Sequence, residues 1–178
     1  TLNVGVNAQV LTLNNSWALE PRAGIKWQFS PKSSFALAYG LHSRMEKMDV
    51  YFVKTQGTGD RSVNKDLGFT RAHHVMLSYG FKLSDNMNMK IEPYFQQLYD
   101  VPVISDSSYS VLNRRDFYVE NALVNRGKGR NIGVDITLER YLNKGLYYMV
   151  TASIFDSKYY GGDRKWRNTL YNRNFIVN

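Results

Sequence analysis

Two long alternating runs, joined by a very short turn, make up residues 129–159. In the first run, apolar side chains occupy every second position, at Ile132, Val134, Ile136 and Leu138. A period of two places such residues on one face of a β-strand and the intervening polar residues on the other. The second run repeats the alternation at Leu146, Tyr148, Val150, Ala152 and Ile154. The pattern predicts an antiparallel hairpin with one apolar face.

The arms of this hairpin are longer than the strands of most soluble proteins. Each runs for about ten or more residues, whereas about five or six are typical, and a strand that crosses a membrane needs about 9–11. The turn at Asn143-Lys144-Gly145 is tight, but the connection after the second arm, residues 160–172, is long and basic. Tight turns at one end and long loops at the other are typical of outer-membrane barrels. The sequence therefore predicts an all-β fold, a segment of an antiparallel transmembrane β-barrel.

The same alternation predicts further strands on either side of the hairpin. They are expected over residues 2–10, 21–29, 35–42, 69–83 and 87–96, with a last strand that begins near Asn174. Long loops are expected over residues 43–66 and 100–128. Pro93 argues mildly against its strand, because proline cannot donate to the hydrogen-bond ladder. The tally is about eight strands, with all short turns on the periplasmic side and the long loops outside.

Composition agrees with a barrel and excludes some alternatives. The 178 residues are 43% hydrophobic and contain 13 Tyr, and no apolar run approaches the roughly 20 residues of a spanning helix. The absence of Cys removes disulfides and thiolate metal sites. Thr1 opens directly in strand-like sequence, and Asn178 follows no closing aromatic residue. We therefore expect residues 1–178 to be one domain, a β-barrel segment of a longer chain.

Several motifs resemble one transporter family. Residues 129–159, GRNIGVDITLERYLNKGLYYMVTASIFDSKY, and the following WRNTLYNRNFIVN resemble the C-terminal barrel region of TonB-dependent receptors of the Bacteroidota type. The likeness continues upstream through LEPRAGIKWQFSP, YGLHSR, LGFTRAHHVMLSY and YDVPV, so it covers nearly the whole chain. The resemblance implies TonB-dependent import of a scarce nutrient, such as a metal chelate, a vitamin or a glycan, across the outer membrane of a Gram-negative bacterium.

The resemblance also implies partners. A plug domain and the segment that engages TonB are expected upstream of Thr1, so that this chain supplies wall and loops. Membrane lipid and lipopolysaccharide are expected around the wall, and a surface lipoprotein is a further candidate partner. No nucleic-acid partner is expected, because the basic chain has neither a recognised nucleic-acid fold nor a compact basic helix.

Polar residues in the middle of the strands define a candidate lumen surface. The lumen or plug-facing candidates are Arg22, Lys26, His42, His74, Glu92, Asp135 and Glu139. We expect the carboxylates to face lumen cations such as Arg22, Lys26 and Lys90, since no serine-histidine or paired-acid spacing indicates an enzyme. His73 and His74 point to opposite faces and cannot chelate a metal together. His42 and His74 can both face the lumen, which keeps a ligand contact open.

The net charge of +8 is concentrated in the expected loops. Candidates for contacts with an external ligand or with lipopolysaccharide are Arg61, Lys65, Arg114, Arg115, Arg164, Lys165 and Arg167. Solvated loop charge with no partner explains them equally well. Gly127–Gly133 does not have the spacing of a phosphate loop and enters a strand rather than a helix. The sequence therefore predicts no catalytic residue, no metal site and no cofactor.

Two other classes of protein remain open at this point. A complete small barrel of eight strands, with a structural or adhesive role, would pair residues 1–13 with residues 174–178. A soluble β-sandwich that binds a ligand would cover one face of the strands with a second sheet about 10 Å away.

Overall fold

The computed structural model describes residues 1–55, 61–114, 119–143 and 145–178, and within them it is one antiparallel sheet. The strands are β1 Leu2–Leu11, β2 Ser16–Ser30, β3 Ser33–Arg44, β4 Thr70–Ser84, β5 Met87–Val103, β6 Val124–Asn143, β7 Leu146–Tyr160, β8 Trp166–Asn168 and β9 Phe175–Val177. A short helix, α1 Met48–Tyr51, and a 3₁₀ turn, Val111–Asn113, lie in the long loops. Among the described residues no helix is long and apolar enough to cross a membrane.

Each of β1 to β8 pairs with its neighbours in sequence, and β9 joins β7 next to β8. The described part of β1 pairs with β2 alone, so the first and last strands do not close a small barrel. The described residues form one sheet, which leaves no second sheet to cover a face as in a sandwich. The prediction of an all-β antiparallel fold is confirmed.

The strand register gives the sheet two chemically different faces. Val134 lies opposite Pro93 on one side and Ile154 on the other, and these side chains belong to the apolar face. One residue along, Asp135 lies opposite Glu92 on the polar face. We call the apolar face the outer face and the polar face the inner face. The outer face is not covered, since Ile154 is 63% exposed.

Proline in β5 is accommodated by a gap in the ladder. The pairing of β4 with β5 runs through Met76↔Tyr94 and resumes at Tyr79↔Ile91, so the positions of Pro93 and Glu92 are skipped. Proline has no N–H to donate, so Pro93 itself has no donor that the gap leaves unpaired. On its other side Pro93 stays in register with Val134 of β6.

Three expectations about the connections are wrong. The second long loop covers residues 104–123 rather than 100–128, because β5 continues to Val103 and pairs there with Val124. The short turn at Asn14-Asn15-Ser16 lies at the long-loop end of the sheet, since the Asn14 side chain donates to the carbonyl of Leu67 at 2.7 Å. Two short strands, β8 and β9, pair with β7 at the end of the sheet. Residues 166–168, which form β8, were expected to lie in a loop.

Most of the buried hydrophobic residues lie in the loops at one end of the sheet. We call the turn of residues 12–15 and the described parts of residues 45–69 and 104–123 the loop cap. The buried cluster in and beneath it contains Leu11, Ala18, Val50, Tyr51, Val53, Leu67, Phe69, Val119 and Leu123. Asn64 holds it together: its Nδ2 donates to the carbonyls of Val50 and Asn121, each at 3.0 Å, and its Oδ1 accepts from the Leu123 amide at 2.8 Å.

Candidate functional site: the inner face and the loop cap

The inner face curls around a cavity of about 930 Å³. Its lining includes Asn3 of β1 and Ser157 of β7, so strands from both ends of the sheet contribute to one cavity. Ligand pockets commonly measure about 300–1,000 Å³. The volume is therefore sufficient for a small ligand or for a protruding loop of another domain.

His42 and His74 come together in this cavity. Their ring centroids are 4.6 Å apart and the ring planes are inclined by 42°. Gly40 makes room for them, because a Cβ at that position would lie 2.6 Å from His42 Nε2. The two imidazoles can donate and accept hydrogen bonds to a polar group in the cavity. Among the described residues no group of three or more His, Cys, Asp or Glu could hold a metal ion.

Arg22 also lines this cavity, but a buried carboxylate already pairs with it. Arg22 Nη2 lies 2.7 Å from Glu20 Oε2, and the Glu20 side chain is only 1% exposed. Glu20 also accepts from Asn7 at 3.0 Å, from Gln9 at 2.6 Å and from the Ser43 amide at 2.7 Å. Four donors from three strands thus hold one carboxylate and fix the position of Arg22 beside it. Glu20 is not among the candidates from the sequence, although the alternation of β2 places it on the polar face with Arg22.

Polar side chains of β5, β6 and β7 form a ladder across the cavity wall. Asn131 Nδ2 donates to Gln96 Oε1 at 3.0 Å, and Asn131 Oδ1 accepts from Ser157 Oγ at 2.7 Å. Thr169 Oγ1 extends the ladder by donating to Ser157 Oγ at 3.0 Å. These hydrogen bonds fix side chains that a cavity ligand or a neighbouring domain would contact. The candidates from the sequence are charged residues and histidines, and none of the neutral residues of this ladder is among them.

The other lumen candidates lie on the same face. Asp135 lines the large cavity, whereas Lys26, Glu92 and Glu139 line a second cavity of about 480 Å³ nearer the short turns. Lys90 Nζ lies 2.9 Å from Glu92 Oε1. This is one of the ion pairs that the sequence suggested, but Arg22 pairs with Glu20 instead of a predicted acid.

The loop cations that the sequence suggested, so far as the structure describes them, lie in three different loops. Arg61 and Lys65 lie in the loop cap, where Lys65 Nζ is 5.6 Å from the centre of the Phe52 ring. Arg114 is at the end of the second long loop's 3₁₀ turn, and Arg115 lies outside the described residues. Arg164 and Lys165 are exposed in the loop after β7. Contacts of these residues with a ligand stay predictions.

Arg167 has a structural partner. Its Nη1 and Nη2 donate to the two carboxylate oxygens of Asp163 at 2.9 and 2.5 Å, a bidentate pair that closes the loop after β7. This contact with Arg167 holds the pKa of Asp163 below its usual value. In the loop cap, burial raises the pKa of Tyr51, whose hydroxyl accepts from the Glu46 amide at 3.2 Å.

Comparisons with known proteins define the class of fold. No family model and no curated protein matches the chain. Among solved structures, the chain is similar to the FrpB iron transporter from Neisseria meningitidis (F3-3 variant), with a TM-score of 0.57 and 18% identity over 84% of this chain. The match covers 21% of that chain, so this chain spans about a fifth of its length. At this identity the likeness concerns the fold alone, that of an outer-membrane barrel wall.

Proposed function

We propose that this chain is part of the barrel wall and external loops of a TonB-dependent importer in the outer membrane of a Gram-negative bacterium. The cargo is a scarce nutrient of the metal-chelate, vitamin or glycan class. The observation that carries the proposal is the division of one sheet into an exposed apolar face and a polar face that curls around a large cavity. The motif resemblance and the similarity to an iron transporter support it.

The inner face suits contact with a plug domain. Its ion pairs Arg22–Glu20 and Lys90–Glu92 and its ladder through Asn131 are prearranged polar groups that face a cavity. A plug that must move during import gains from polar contacts, because these exchange with water at a small net cost, about 0.5–1.5 kcal/mol for a typical hydrogen bond. The apolar outer face has the complementary task of contacting lipid.

The loop cap suits the first contact with cargo. It lies at the long-loop end of the sheet and has its own buried cluster, so it can hold a defined surface. Arg61 and Lys65 give that surface positive charge. An anionic chelate is the cargo that this charge favours most within the proposed class.

Energised uptake by the full-length protein is the direct test. Cells that carry it as their outer-membrane importer would be offered radiolabelled ferric chelates, cobalamin and oligosaccharides, with and without a functional TonB protein. We expect uptake of one of these cargoes to require both the protein and TonB. Uptake that continues without TonB, or no uptake of any of the three classes, would refute the proposal.

Disulfide trapping tests the contact with the plug. Asn131→Cys on the inner face and Ile132→Cys on the outer face are neighbours on β6, so they form a matched pair. We expect Asn131→Cys to form disulfides with single cysteines placed along the segment upstream of Thr1, and Ile132→Cys to form none. Equal trapping from both positions would contradict a plug inside the wall.

A further inference from the structure

Charged side chains gather on the outer face, just beyond its apolar band. The group, here called the outer rim cluster, consists of Lys128, Arg130, Asp156, Lys158, Tyr160 and Trp166. The register pairs Lys128 with Tyr160, Arg130 with Lys158 and Ile132 with Asp156, so these side chains share the face of Ile132. Trp166 of β8 lies opposite Tyr160 and completes the same face. The cluster is distinct from the inner face and from the loop cap.

Positive charge exceeds negative charge in this cluster. The cluster has three cations and one carboxylate, and two of the cations approach that carboxylate: Lys158 Nζ lies 3.1 Å from Asp156 Oδ2, and Arg130 Nη2 lies 3.9 Å from the same oxygen. The latter distance is too long for a hydrogen bond. Asn172 Nδ2 also donates to Asp156, at 3.0 Å. Within the part of the chain that the structure describes, Asp156 therefore cannot neutralise the cluster.

Arg130 keeps donors available for an anion. Its guanidinium carbon lies 5.7 Å from the centre of the Trp166 ring, and Lys128 Nζ lies 5.9 Å from the centre of the Tyr160 ring. Arg130 Nε is buried and has no hydrogen-bond partner among the described residues, so the donors open to an anion are those of the two Nη atoms, on a side chain that is 43% exposed. Stacking on an aromatic ring holds the plane of an arginine while its N–H groups stay free to bind another group.

The position of the cluster indicates the kind of anion. Ile132 and Ile154, one step towards the short turns, are 50% and 63% exposed on the same face. Charges on a lipid-facing surface are costly at the midplane and tolerated near the interface. Tyr and Trp are enriched at that same depth. The cluster therefore lies at the level of lipid headgroups, on the side of the long loops.

We propose that the outer rim cluster binds the phosphate of an anionic glycolipid in the outer leaflet. Arg130 and Lys158 donate to the phosphate oxygens, as a guanidinium and an ammonium do in phosphate sites. Tyr160 and Trp166 contact the sugar and the start of the acyl chains. The site lies on the outside of the wall, so it binds a membrane component rather than cargo; it rests on the outer-membrane location in the proposed function but not on the import activity.

Lipid retention by the purified full-length protein tests the site. The protein in detergent is mixed with lipid A that carries its phosphates, and bound lipid is counted by native mass spectrometry. The double variant Arg130→Gln with Lys158→Gln is expected to retain roughly tenfold less lipid A, because charge-assisted hydrogen bonds are lost. Asp156→Asn removes the only carboxylate among these six residues and is expected to raise retention.

The controls test whether lipid retention depends on the position of the charge, on the phosphates of the lipid and on folding of the barrel. Arg140→Gln removes a cation from the same face of β6 at its other end, where its cross-strand partners are Met87 and Tyr148, and retention is expected to stay unchanged. The heat-modified mobility of each variant shows that the barrel is folded. Equal retention of dephosphorylated lipid A would overturn the proposal, as would a normal level of lipid A on the double variant. Displacement by inorganic phosphate at the same concentration as lipid A would overturn the assignment to a lipid.

Discussion

The wall and the loop cap of this protein are stabilised in different ways. In the wall, large apolar residues such as Trp27 and Ile154 are 64% and 63% exposed. In the loop cap, Val50 and Tyr51 are fully buried, and the cluster around them resembles the core of a soluble domain. One chain thus has a part whose apolar surface is left for lipid to cover and a part that buries its own. Lipid composition should therefore affect the wall far more than the cap.

Polar groups show the same contrast. Asn64 in the cap is 1% exposed and makes three hydrogen bonds to the backbone. Asn131 in the wall is half-buried and bonds to side chains beside an open cavity. When a buried side-chain amide is removed, its hydrogen-bond partners find no replacement partner, whereas groups that face a cavity can bind water instead. The cap should therefore be the part of the molecule that is more sensitive to the loss of polar residues.

A charge introduced on the outer face should produce the largest loss of stability. Val134→Arg places a guanidinium in hydrocarbon and is expected to cost about 2–4 kcal/mol near the midplane. Asp135→Arg, one residue away, reverses a charge that faces the cavity and should cost much less. The measurement is the free energy of folding of the full-length barrel into lipid vesicles. A greater loss for Asp135→Arg would invert our assignment of the two faces.

Loss of a buried side-chain amide in the loop cap should produce the second-largest effect. Asn64→Ala leaves the Leu123 amide and two carbonyls without their partner, and we expect the free energy of cap opening to fall by roughly 2 kcal/mol. Asn131→Ala is the matched change in the wall and should cost less than about 1 kcal/mol there. Hydrogen exchange of residues 48–55 and 61–69 reports cap opening. Equal effects of the two variants on exchange of the regions around them would remove the distinction between cap and wall.

Tyr51 should make the cap sensitive to alkaline pH. Burial raises its pKa above the 10.0 of an exposed tyrosine, so the folded cap holds the proton more tightly than the opened cap does. This contribution is fully present below pH 10.0 and is lost as the pH rises towards the folded pKa. Tyr51→Phe should weaken the cap by about 1 kcal/mol at neutral pH, since one hydrogen bond is lost.

Proteinase K cleavage of the cap between pH 8 and about pH 11 tests this pH dependence. Cleavage of the wild type is expected to accelerate over the upper part of that range, whereas Tyr51→Phe should show a weaker acceleration. The same acceleration in both proteins would mean that another group controls the alkaline opening.

The smallest effect should be local. Asp163→Asn breaks the bidentate pair with Arg167, which closes the exposed loop after β7. We expect faster trypsin cleavage at Arg164 and Lys165, with no change in the stability of the wall. Asp85→Asn removes a carboxylate from a short turn at the other end and should leave this cleavage unchanged. Unaltered cleavage in Asp163→Asn would show that other contacts hold the loop.

Alternation in the sequence predicted most of the wall, because strands with one face in lipid must be apolar at every second position. Arg22, His42 and His74, which the alternation assigns to the polar face, line the large cavity. The alternation of apolar residues failed as a guide where strand pairing overrode local turn signals. Asp100 and Pro102 resemble a turn, yet β5 continues through them to buried Val103. The loop cap could not be predicted, since its cluster joins residues far apart in sequence with no common period.

Tyrosines near the short turn between β6 and β7 show another limit. Tyr141, Tyr147 and Tyr148 flank this turn, where an aromatic girdle at the periplasmic boundary of the membrane belongs, but a girdle requires side chains on the outer face. The alternation of β7 places Tyr148 on that face and Tyr147 on the other. Tyr141 accepts a hydrogen bond from Asn88 Nδ2 at 3.0 Å, a residue of the inner face. Only Tyr148 of these three therefore suits a girdle.

Thiol accessibility along β6 tests the two-faced wall most directly. The 178 residues contain no cysteine, so single cysteines at 131, 132, 134, 135 and 136 are the only ones in this part of the protein. Intact outer membranes would be treated with a charged, water-soluble maleimide. Our account predicts labelling at 131 and 135 and protection at 132, 134 and 136. Uniform labelling, or labelling at the even positions alone, would contradict it.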